Sequence, residues 1–357
     1  MTDAALSDHR VLYVDPDWLD DPDAHGVEDV DTDDQPDFGS GVHAVAASSD
    51  LSRFALTTSS QGNSESGQAC FFDVASSAWH WRELDEGRPF IGDGEQIAFS
   101  PDGSLVAVAT STDMKAIVWR TADMSMAWSA EPGPAWGHVP RRGQTEDVRP
   151  TGLFTHIAFS GDGRSVVATG GSPWTPEPIE TPTERIVVAE ASTGEVVYAA
   201  DVPIRGGAIL DQTGETLAHI GLDDEIVVQD LPSGAVAHRH PSEVPGARVL
   251  AYSPDAGAVA VGGDGVVQVV QLRDGASPGI QLGEGTTCTA MHWSPNGLRI
   301  LVEDDEHATV LDADNHTLWT RPKDHLAAAF TPDGRTLVTV HDDTWVRAWS
   351  LTPRRRP

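Results

Sequence analysis

The chain has 357 residues and a formal net charge of −32 at pH 7, so it holds either several domains or one extended array, and it repels duplex nucleic acid. No run approaches the roughly eighteen apolar residues of a membrane span, and the opening MTDAALSDHR lacks a secretion signal; both argue for a cytoplasmic protein with no membrane partner. Two cysteines, Cys70 and Cys288, fall in repeats that are not neighbours, which argues against a disulfide, and an excess of arginine over lysine suits a GC-rich bacterial genome or a salt-rich cytoplasm.

In chain order, the first apolar segment is RVLYV, residues 10–14, followed by an acidic linker over 15–39. From there a strand, a tight polar turn and a second strand recur through 42–351. The turns centre on Asp50, Asp102, Asp162, Thr213, Asp255, Asn296 and Asp333, at steps of 52, 60, 51, 42, 41 and 37 residues. A period of this size built from strands signals a radial or stacked repeat. In the second unit, Gln96–Ser100 reads as strand a, Leu105–Thr110 as strand b, Lys115–Arg120 as strand c and Met124–Ser129 as strand d. Between a and b, Pro101 fixes φ, Asp102 bonds nearby backbone amides, and Gly103 accepts positive φ. The near-continuous apolar run of strand b predicts burial on both faces, between neighbouring sheets. A basic tail, 352–357, ends the chain.

The last unit, AFTPDGRTLVTVHDDTWVRAWSL, resembles the WD-repeat β-propeller family, with Asp342 and Asp343 in the b–c turn and Trp349 late in strand c; the second unit is similar, ending IVWRT at Trp119. The resemblance implies one all-β domain, a seven-bladed β-propeller of four-stranded antiparallel blades. It also implies closure by the N-terminal segment, which supplies the outer strand that TPRRRP is too short to form. Strand c lacks tryptophan in the third to sixth units, and the histidine that the family places before strand a finds no match in this reading.

Blade topology puts a–b and c–d turns on one face and b–c and d–a connections on the other. All the long segments, residues 15–39, 59–68, 131–152 and 172–184, belong to the second face. Loops extended from one face of a rigid scaffold carry binding, although loops also tolerate length at little cost. Within them Trp136, His138, Arg141, Arg142 and Trp174 are the candidate partner-binding residues: aromatic anchors beside a paired cation suited to a carboxylate or phosphate. The structural alternative has both tryptophans covering blade edges and the arginines paired with Glu146 or Asp147. The same face carries acidic turns at Asp223 to Glu225, Asp264, Glu303 to Glu306 and Asp342 to Asp343, read either as a negative rim or as turn chemistry.

Enzyme signatures are lacking. Met114 and Pro322 precede the only lysines, which excludes a Walker loop, and no nucleophile elbow, zinc helix or paired CxxC occurs. DVDTDD at 29–34 departs from a calcium loop at Asp34 and Ser40, and His238 with His240 is a weak metal candidate on an outer strand. The expectation is a monomeric, non-enzymatic scaffold that binds a protein or peptide and needs no cofactor. A propeller hydrolase or lyase with an acidic and histidine site at the central channel is the alternative.

Overall fold

The computed structural model describes residues 9–12, 42–48, 52–58, 68–73, 78–83, 94–110, 116–130, 154, 156–171, 184–204, 208–273, 275–276, 279–282, 286–312, 317–323, 325, 327–330, 334–340 and 346–350. Among them every named element is a β-strand, and the strands form seven antiparallel sheets. Numbering the sheets along the chain and lettering strands from the inside, sheet 1 is Val42–Ala47, Arg53–Thr58, Gln68–Asp73 and Ala78–Glu83. Sheet 2 is Gly94–Phe99, Leu105–Thr110, Ala116–Arg120 and Met126–Ser129; sheet 3 is His156–Phe159, Ser165–Gly171, Glu184–Glu190 and Val196–Val202. Sheet 4 is Ile209–Leu210, Thr216–Ile220, Glu225–Asp230 and Ala235–Pro241. Sheet 5 is Val249–Tyr252, Ala258–Gly262 and Val266–Gln271, with the outer strand in two pieces, Gly275–Ala276 and Ile280–Gln281. Sheet 6 is Ala290–Trp293, Arg299–Glu303, His307–Asp312 and Thr317–Pro322. Sheet 7 is Ala327–Phe330, Thr336–Val340 and Val346–Ser350, with His9–Leu12 on its outer edge.

The a strands stand side by side in numerical order, and that of sheet 7 lies against that of sheet 1. The fold is a β-propeller: the sheets are blades and the a strands surround the axis.

The a–b turns of sheets 2, 3, 5 and 6 are built the same way. Asp102 Oδ1 accepts from Ser100 Oγ (2.7 Å) and from the Ser104 amide (3.0 Å), while Ser100 Oγ accepts from the Leu105 amide (2.9 Å). Ser160 with Asp162, Ser253 with Asp255 and Ser294 with Asn296 repeat the motif. These bonds lower the pKa of Asp102 and Asp255 despite some desolvation. The expected glycine geometry holds, with φ of 70° at Gly103 and 62° at Gly334, but in sheet 5 Ala256 takes φ 54° in the glycine's place.

The core lies between neighbouring blades rather than inside any one. Strand b supplies both sides of it: Val106 and Val108 face sheet 1, while Ala107 and Ala109 face sheet 3. Trp119 meets Phe71 edge-on at 5.8 Å between centroids, and Trp349, 5% exposed, donates from Nε1 to Thr339 Oγ1 (2.9 Å) beneath the Arg321 guanidinium of sheet 6.

Several elements depart from the sequence reading, beginning with strand a of sheet 2, which spans Gly94–Phe99 against an expected Gln96–Ser100. Strand d of sheet 2 starts at Met126, not Met124, because Met124 takes the left-handed conformation (φ 55°) that turns the chain out of strand c. The edge strand of sheet 7 spans His9–Leu12, against an expected 10–14. The outer strands, moreover, clasp their neighbours: Trp128 donates from Nε1 to the Ala191 carbonyl (2.8 Å) and lies over Gly194 of sheet 3, and Tyr198 lies over Gly234 of sheet 4. In sheets 2, 3 and 4 a register shift between strands c and d sets this aromatic or imidazole position: Trp128, Tyr198 and His238.

Candidate functional site

Trp136, His138, Arg141, Arg142 and Trp174 lie outside the described residues, as do the linker over 15–39 and the turn containing Asp342 and Asp343. The acidic turns of sheets 4 to 6 are described, and they are not a uniform rim of free charge. Arg239 Nη1 meets Glu225 Oε2 at 2.9 Å, Arg248 pairs with Asp264, and Thr287 Oγ1 donates to the same Asp264 (3.3 Å). Glu303 and Asp304 are buried, 4% exposed each. Asp304 Oδ1 caps its own b–c turn by accepting from the Glu306 (2.7 Å) and His307 (2.6 Å) amides.

The residues that converge are at the axis, on strands where the sequence shows mostly small apolar side chains. Register against strand b makes Ala46, Ala98, Ala158, Ile209, Ala251 and His292 equivalent inner-strand positions; two residues earlier stand Ala44, Gln96, His156, Val249 and Ala290. His156 on sheet 3 and His292 on sheet 6 are thus the ionisable groups among these positions. His156 Nε2 is enclosed and has no hydrogen-bond partner, and burial, then the neighbouring His292, pushes its pKa down to about 4. His292 is exposed by area yet closely surrounded; desolvation lowers its pKa and Glu303 opposes the shift.

Glu303 ends strand b of sheet 6, opposite Ala290. Its Oε1 meets His325 Nε2 at 2.5 Å, with both side chains almost wholly buried, so the contact joins sheet 6 to the segment entering sheet 7. Burial pushes this carboxyl up, but the bond from His325 and the charges of His292, His325 and Lys323 outweigh it and hold the carboxyl below its usual range. Lys323 Nζ donates to Thr289 Oγ1 (3.3 Å), and Thr289 Oγ1 in turn donates to the Glu303 carbonyl (3.3 Å).

His325 therefore occupies the place before strand a where the sequence reading found no histidine, two residues ahead of Ala327–Phe330. The sign was present as DHL before AAAF; what hid it was that no other described blade repeats it. The equivalent buried positions are Phe154, Ala247 and Cys288. Glu303 was missed for a different reason, since in EDDE it looks like one more solvated turn acid. Among the described residues no group of three or more His, Cys, Asp or Glu is arranged to hold a metal ion, and no helix is long and apolar enough to cross a membrane.

Residues 95–120, strands a to c of sheet 2 with their turns, match the family model described as WD domain, G-beta repeat. No curated protein matches the chain.

Proposed function

We propose that this WD-repeat-like β-propeller is a non-enzymatic scaffold that presents the b–c and d–a face to a protein or peptide partner. One observation carries the reading: the long connections all leave and re-enter the sheets at the same end. Residues 13–41, 59–67, 131–153 and 172–183 each link a strand d to a strand a, or a strand b to a strand c, whereas a–b turns such as 100–105, 160–165 and 294–299 are tight. A rigid ring carrying its variable segments on one side is suited to recognition by loops. In this reading Trp136 and Trp174 supply apolar contact area, Arg141 and Arg142 select an anionic group, and His138 lines the same surface. The ring counts seven blades and is closed by His9–Leu12, a reading supported by its pairing with Val346–Ser350. The protein acts as a monomer in the cytoplasm, and the net charge of −32 disfavours nucleic acid as the partner.

The test is quantitative co-purification with the chain and with a variant carrying Trp136→Ala, Arg141→Ala and Trp174→Ala. Loss of a stoichiometric partner with an unchanged melting midpoint is expected. Undiminished capture by the variant refutes the proposed face.

A catalytic reading of the axis is favoured by the convergence of His156, His292, Glu303 and His325. It is the weaker reading, because Glu303 is already engaged by His325, and among the described residues no serine or cysteine nucleophile joins the group: Cys288 is buried, with its thiol pushed up to about 12, first by desolvation.

A further inference from the structure

The geometry points to a two-histidine site in the central channel, where His156 of sheet 3 and His292 of sheet 6 bind a first-row divalent cation of the imidazole-preferring class, with Zn²⁺ as the representative. Both side chains come from innermost strands, three blades apart, at positions one step different in level. The inner strands offer them little competition: Ala44, Ala46, Ala98, Ala158 and Ala251 carry no polar side-chain atom, and Gln96 Oε1 already accepts from the Ile157 amide (2.7 Å). His156 Nε2 is enclosed without a hydrogen-bond partner, and a ring nitrogen in that position needs either a donor or a metal. His292 is exposed although it stands on an innermost strand.

Neutral imidazole is the form that ligates, which makes binding stronger at pH 7.5 than at acid pH. The surrounding field helps as well, since a chain of net charge −32 concentrates cations. With two protein ligands the remaining coordination falls to water, so binding in the micromolar range is expected rather than the tighter binding of a four-ligand structural site.

The site is tested on the full chain. Isothermal titration with Zn²⁺ at pH 7.5 is expected to show one saturable equivalent. His156→Ala and His292→Ala should each weaken binding at least about tenfold, whereas the double variant His238→Ala, His240→Ala, which removes the exposed outer-strand pair, should bind as the parent does. Should either axial variant fold poorly, Cu²⁺ electron paramagnetic resonance on the unmodified chain and on the outer-strand double variant decides, with imidazole nitrogen coupling expected in both. The inference is overturned by an absence of saturable binding up to about 1 mM, by axial variants that bind like the parent, or by loss of the signal in the outer-strand variant.

Discussion

His219 lies in strand b of sheet 4, 3% exposed, and neither ring nitrogen has a hydrogen-bond partner. Burial pushes its pKa down to about 4 against an opposing influence from the Ile220 backbone, with a smaller lowering from the charge of Arg239. His156 is depressed to the same value. In the unfolded chain both return to about 6.5. Between pH 6.5 and 4 the unfolded state therefore binds protons that the folded state refuses, and stability must fall as pH falls through that window. Above it neither group is charged in either state, and the contribution is flat. At about 1.4 kcal/mol per pH unit, each histidine accounts for roughly 3 kcal/mol at the acid end. Urea unfolding at pH 7, 6 and 5 should show a declining midpoint, and His219→Gln should flatten the decline; a midpoint constant from pH 7 to 4.5 contradicts this account. These histidines are plain in the sequence, but their state is not: THI and AHI look alike on a strand until packing decides which nitrogens lose their water.

The clasp between blades is a property of paired strands. A Cβ at Gly194 would stand 2.7 Å from Trp128 Cδ2, and the residue has φ +74°, so Gly194→Ala meets both a rigid ring and a disfavoured backbone. The change should destabilise by about 2–4 kcal/mol, from overpacking plus left-handed strain. Combined with Trp128→Ala, which clears the space, the costs should be less than additive in a denaturation cycle; strict additivity refutes the contact. The inner half of each blade was legible from the chain because the Ser-Pro-Asp-Gly turns write their geometry into consecutive residues. The outer half was not. A bulge shifts the register between strands c and d, and each aromatic clasp pairs with a glycine tens of residues away, so no local pattern ties Trp128 to Gly194 or Tyr198 to Gly234.

At the scale of the molecule, the repeat spacing and strand alternation were enough to read a propeller, because seams between blades demand apolar residues on both faces of every strand b. What the chain hid is the axis: inner strands that read as alanine-rich spacers carry His156 and His292 from distant repeats, with Glu303 on the strand b beside His292. If pairing of His9–Leu12 with Val346–Ser350 closes the ring, deleting residues 1–14 should lower the calorimetric melting temperature of the whole domain in one transition. An unchanged transition in the truncated chain removes that strand from any sealing role.

The register His9 to Trp349 and Leu12 to Val346 joins segments from opposite ends of the polypeptide. During synthesis the earliest strand emerges long before its hydrogen-bonding neighbour exists, so it waits unpaired while every other blade is made. The pair His9–Leu12 with Val346–Ser350 therefore forms only after its later strand has left the ribosome.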